Sequence, residues 1–196
     1  MNEFALASNR TITLSLGEHL VEVRQVVMAE FDQFVGPAHT IKTALDALPT
    51  DGKDQTVIIQ TFLSNSAETT QLLVMLTNLT VQQLNELVEA DPLNLAQLVY
   101  AMHALNTAFF DEVVKPQRKI QDNKKSTWWD GFQFLISQGH RHSEIMQYSY
   151  GAYLGYMDAA GKSFRHNLRV QANMYRTAQH ANKQGMDKFN RELDKD

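Results

Sequence analysis

The feature that most constrains this chain is a change of charge near its middle. Residues 1–116 carry five Lys/Arg against fourteen Asp/Glu, a net of −9. Residues 117–196 carry thirteen Lys/Arg against eight Asp/Glu, a net of +5. The join, Lys115-Pro116-Gln117-Arg118-Lys119-Ile120-Gln121-Asp122-Asn123-Lys124-Lys125-Ser126, is polar and nearly free of apolar side chains. One packed core does not readily include such a run. The expectation is therefore two modules, an acidic one over 1–116 and a basic, aromatic-rich one over 127–196, joined by a polar linker over 117–126. A chain built this way is suited to holding two different things at once.

At 196 residues with 43% apolar content, the chain can bury a core. It has no cysteine, so disulfides and thiolate chemistry are excluded. The start, Met1-Asn2-Glu3-Phe4-Ala5-Leu6, does not read as a signal peptide. No apolar run approaches the ~18 residues of a membrane span. A soluble, cytoplasmic protein with no membrane partner is expected.

Thr11-Ile12-Thr13-Leu14-Ser15-Leu16 alternates polar and apolar residues, the period of a half-buried strand. Gly17-Glu18 can turn it, and Leu20-Val21-Glu22-Val23 can return as a hairpin; an extended arm is the alternative. Helical spacing follows. Val27, Phe31, Phe34 and Val35 mark a helix that Gly36-Pro37 should break, with Pro37 opening the next, which bears Ile41, Leu45 and Leu48. Val57, Ile58, Phe62 and Leu63 form another short face, and Ser66 can cap a helix bearing Leu72, Leu73 and Leu76. Thr80 and Gln83 match a capping box ahead of Leu84, Leu87 and Val88. Asp91-Pro92 opens a helix with an apolar face of Leu95, Leu98, Val99, Met102, Leu105, Phe109, Phe110 and Val113, ending before Pro116. In the second module Thr127 and Asp130 form another capping box, and that helix runs to Gly139. Ser143 to Gln147 makes one short turn, and Ser149 caps a helix from about Tyr150 to about Asn182, ~50 Å long. The fold class is mainly α: a short N-terminal β-hairpin, a compact bundle of short helices, a linker, and a helical C-terminal module with one long helix.

On that long helix Tyr150, Tyr153, Leu154, Met157, Phe164, Leu168 and Tyr175 project to one side. Lys162, Arg165, His166, Arg169, Arg176, His180 and Lys183 project to another, and no acidic residue lies between Asp158 and Asp187. A basic stripe beside an apolar stripe reads as a solvated face, as a docking surface for an acidic protein, or as a modest nucleic-acid footprint.

Reactive-site motifs are missing. His140 and His142 lack the spacing of a metal pair, and His103 reads as a satisfied, partly buried histidine. No phosphate-binding glycine loop and no nucleophile elbow occurs. No cofactor or metal is expected, and no enzymatic activity.

Trp128, Trp129, Phe132, Phe134, Tyr148, Tyr150, Tyr153 and Tyr156 crowd into 29 residues. Most should form the small core of the second module, with some left for a partner. The candidate partner-binding residues are Trp128, Trp129, Tyr150, Tyr153, Tyr156, Lys162, Arg165, Arg169 and Arg176. A helix-turn-helix reading fits the spacing of Phe132–Ile136, Gly139, Ile145 and Ser149. Against it, the helix that would enter the groove begins Tyr150-Gly151-Ala152-Tyr153-Leu154-Gly155-Tyr156, without side chains that read base edges. Nucleic acid is therefore not an expected partner.

Over most of its length the chain resembles the tail assembly chaperones of long-tailed bacteriophages. The resemblance rests on Thr11-Ile12-Thr13-Leu14 and the short helices closing with residues 98–110. It also rests on Trp128-Trp129, on Leu135-Ile136-Ser137-Gln138-Gly139-His140, and on Tyr148 leading into a long Ala/Arg/Gln-containing helix. It implies a non-enzymatic assembly factor whose first module coats the tape measure protein and whose second recruits the tail tube protein. It also implies self-association, action in the cytoplasm of the bacterial host, and absence from the mature virion. Such chaperones are often made in two lengths by ribosomal frameshifting, and Asn123-Lys124-Lys125 is compatible with an A-rich slippery run. A generic phage structural or adaptor protein is the fallback.

Overall fold

The computed structural model describes residues 9, 11–49, 54–111, 127–180 and 183–193. Strands β1 (Ile12–Leu16) and β2 (His19–Val23) form an antiparallel hairpin with Leu14 opposite Val21. Gly17 turns it at φ +58°, a conformation that favours glycine. Val21 and Val23 are buried, as is Leu16, so one face of the hairpin enters the core.

A 3-10 turn (Met28–Glu30) leads into α1 (Phe31–Asp46). The break expected at Gly36-Pro37 does not occur. Proline removes one backbone hydrogen bond and crowds the preceding turn, yet Phe31, Phe34, Ala38, Ile41 and Leu45 make one buried stripe across it. Continuous burial of that stripe outweighs the local defect. Helices α2 (Gln55–Ser64), α3 (Ser66–Leu76), α4 (Val81–Ala90) and α5 (Leu93–Leu105) complete the bundle. α1 packs on α2 and α3, while α5 packs on α2, α3, α4 and the hairpin. Phe34, Phe62, Leu72, Leu98 and Met102 are among the fully buried side chains at the centre.

The helix expected to run from Asp91-Pro92 to Pro116 ends instead at Leu105, and a short α6 (Thr107–Phe110) follows. Asn106 makes the break. Its Oδ1 accepts from Val26 N at 2.9 Å and its Nδ2 donates to Met102 O at 2.9 Å. The side chain thus serves the extended segment after β2 at the cost of a continuous helix.

Helix α7 (Trp128–Ser137) starts with the expected capping box: Thr127 N donates to Asp130 Oδ2 at 2.7 Å, and the Thr127 hydroxyl accepts from Asp130 N at 3.4 Å. After α8 (His142–Gln147), α9 (Tyr150–His180) begins with Ser149 Oγ accepting from Ala152 N, and α10 (Lys183–Leu193) follows.

Two compact units result, Met1–Leu154 and Gly155–Asp196. The division falls inside α9, not at the polar segment 117–126, which lies outside the described residues. The cause is backbone pairing between distant segments. Met28 N donates to Tyr148 O at 2.9 Å, and Tyr150 N donates to Val26 O at 3.1 Å. α7, α8 and the first turns of α9 therefore belong to the acidic unit.

Candidate functional site

The aromatic candidates separate by depth. Phe31 stacks on Tyr150 with ring centroids 4.7 Å apart and planes at 12°, and meets the edge of Trp128 at 5.1 Å. Phe109 packs edge-on to Tyr150 at 5.8 Å. Tyr153 touches Trp128 and Phe132, both at 5.9 Å. Tyr150 and Tyr153 are buried, so the expectation that they anchor a partner is corrected. Burial raises the pKa of Tyr153, since the phenolate would lose its hydration. These rings extend the core of the acidic unit rather than building a second one, because Phe31 and Phe109 already offer an apolar wall.

Trp128 and Trp129 keep 48% and 65% of their surface exposed. Trp129 lies against Phe132 at 6.0 Å and parallel to His142 at 6.5 Å. Tyr156 is half-buried. Trp128 and Trp129 thus remain available as interface anchors, with Trp128 fixed on its inner edge.

The basic candidates lie in the second unit. Lys162, Arg165, Arg169 and Arg176 are exposed, and Lys162 pairs with Asp158 at 2.6 Å. The apolar stripe beside them is also open, with Leu168 48% and Tyr175 71% exposed. Met174, Tyr175, Ala178 and Met186 line a hollow of about 360 Å³ in this unit. The side chain of His180 falls outside the described residues.

A second concavity lies in the acidic unit. Ile12 and Leu14 of β1, Ile59 of α2 and Leu93, Ala96 and Tyr100 of α5 bound a cleft of about 340 Å³. Its lining is almost wholly apolar, and its size is within the ~300–1,000 Å³ of ligand clefts. It forms because β1 is an edge strand that stands beside α5 and α2 with medium-sized side chains. The family resemblance implies apolar grooves between the short helices of the first module, but the sequence assigned no residue to this one. The available signal was Tyr100, a large aromatic residue that falls off the apolar face of its helix and is 48% exposed in the structure.

Three of the histidines, His103, His140 and His142, pack against other side chains. His103 is buried between Phe62 and Phe110, and its Nε2 lies 3.6 Å from Asp111. Burial lowers its pKa, and the Asp111 carboxylate partly offsets that shift. His140 Nδ1 meets the Tyr148 hydroxyl at 2.9 Å while His142 faces Trp129, so the two rings have different neighbours. Among the described residues no group of three or more His, Cys, Asp or Glu could hold a metal ion. No helix of the described residues is long and apolar enough to cross a membrane.

The start of α9 offers little to a DNA groove. Tyr150, Gly151, Ala152 and Tyr153 are buried, so its first turn is occupied by packing. No protein-family model, curated protein or solved structure matches this chain.

Proposed function

We propose that this protein is a non-enzymatic tail assembly chaperone that shields the tape measure protein of a long-tailed phage and recruits tail tube subunits. The observation that supports the reading is the presence on one chain of two unlike exposed surfaces. One is an apolar cleft in an acidic unit. The other is a basic helix with a half-exposed apolar stripe in a separate unit. An amphipathic client helix can lay its apolar side chains into such a cleft. Burial there is worth roughly 25 cal/mol per Å² of apolar surface. Each contact can be weak, because many copies on one long client raise the effective concentration. The α9 stripe would meet the tube subunit.

No nucleotide hydrolysis is needed on this reading. Tube polymerisation competes for the same surfaces and releases the chaperone, so the protein acts in the host cytoplasm and is absent from the finished particle. The test is solubility on co-expression. The tape measure protein of the same phage should stay in the supernatant when this chain is present and pellet when it is absent. Equal pelleting in both cases would remove the reading.

A further inference from the structure

Three aromatic rings meet at the elbow between α7 and α8. The chain reverses at Gly139, whose φ of +97° favours glycine, and this returns His142, the first residue of α8, to Trp129 and Phe132 of α7. The ring centroids form a nearly equilateral triangle, 6.0 Å from Trp129 to Phe132, 6.1 Å from Phe132 to His142 and 6.5 Å from Trp129 to His142. Trp129 and His142 lie within 19° of parallel, and Phe132 stands at 84° to both. A cation seated over the middle of that triangle is within the ~6 Å reach of all three rings. Phe132 is backed at 5.9 Å by the buried Tyr153, which holds it in place, while Trp129 is 65% exposed and His142 is exposed as well. The surroundings favour a cation. Residues 1–154 carry ten Lys/Arg against seventeen Asp/Glu, a net of −7. Asp130 directly follows Trp129, and its carboxylate accepts from Thr127 N at 2.7 Å, which offsets the positive end of α7. Glu144, two residues after His142, draws the neighbouring Arg141 to 3.9 Å from its own carboxylate.

We propose that Trp129, Phe132 and His142 form a cation–π site that receives an arginine side chain of a partner protein. A guanidinium suits ring faces better than an ammonium does, because it is planar and more weakly hydrated. The negative faces of the rings attract its charge, and the acidic unit adds a longer-range attraction that salt weakens. A neutral apolar side chain would gain the same ring contact without that attraction, and the difference separates the two kinds of guest. The site lies wholly within the acidic unit and uses neither the cleft beside β1 nor α9. It requires neither client nor tube subunit, so its failure would leave the proposed function standing.

Fluorescence of Trp129 tests this. The chain has two tryptophans, so Trp128→Phe leaves Trp129 as the only indole, and its emission reports this site alone. The probe is the peptide acetyl-Gly-Arg-Gly-amide, titrated at low salt into the full-length Trp128→Phe chain. The control peptide carries citrulline in place of arginine, which keeps the shape and loses the charge. The arginine peptide should give a saturable change and bind about two- to fivefold more tightly than the citrulline peptide. In the same background, His142→Ala removes one ring at an exposed position, and Phe132→Leu removes another while keeping bulk beside Tyr153. Circular dichroism checks that both fold. Each should weaken arginine binding about two- to fivefold and narrow the preference over citrulline. Equal affinity for the two peptides, no saturable change with either, or arginine binding unchanged in a folded ring variant would overturn the proposal.

Discussion

Two buried polar side chains hold the acidic unit at points where the backbone has no regular partner. Asn106 satisfies Val26 N–H in the core. Asn106→Ala should leave that N–H unpaired and cost about 1–3 kcal/mol, read as a lower urea midpoint at unchanged slope. Lys42 is buried with Nζ 2.7 Å from Phe109 O and 3.2 Å from Phe110 O, covering the carbonyl end of α6. Neither role was legible, since Asn106 and Val26 lie 80 residues apart and Lys42 and Phe109 lie 67 apart. His103 was read correctly as a partly buried histidine because it sits beside the apolar face of its own helix. Its pKa is lowered, so the unfolded chain binds its proton more readily. Its contribution to stability is therefore present above the ordinary value of 6.5 and declines as pH falls below it. Unfolding midpoints at pH 7.5 and 5.5 should differ in the wild type and differ less in His103→Gln.

At the scale of elements, local signals were readable and long-range ones were not. Both capping boxes form as their sequences dictate, at Thr80 with Gln83 and Thr127 with Asp130. Thr127→Ala should cost about 1 kcal/mol, seen as a lower thermal midpoint. The hairpin was legible from its alternation and its turn. Pro37 was misread, because one proline is weaker evidence than five apolar residues in a continuous stripe. The bend at Asn106 was missed because asparagine inside an apolar pattern carries no local mark of its partner. No residue was assigned to the cleft beside β1 for a related reason, since it is made by three elements that meet only in the fold.

The whole molecule divides inside a helix rather than at its charge boundary. Charge follows sequence, but packing follows Phe31 and Phe109, which capture Tyr150 from across the chain. The expected second module therefore surrenders its first helices to the acidic unit. Trp128→Ala should accordingly lower the protection of amides in α1 as well as α7 in hydrogen exchange. Loss confined to α7 would mean that the contact with Phe31 adds no stability. The basic stripe is different, being exposed, and Arg165, Arg169 and Arg176 changed together to Glu should leave folding intact.

That triple variant also serves the most direct test of the central claim, that one chain carries two docking surfaces for two assembly partners. The measurement is affinity capture from cells that express the phage tail proteins, with the wild type and the Arg165→Glu, Arg169→Glu, Arg176→Glu chain as baits. A long helical client should be retained by both and a tube-forming protein by the wild type alone. Equal capture of the tube-forming protein by both baits would contradict the docking role of α9. Retention of a nuclease-resistant DNA fragment in place of either protein would contradict the account as a whole.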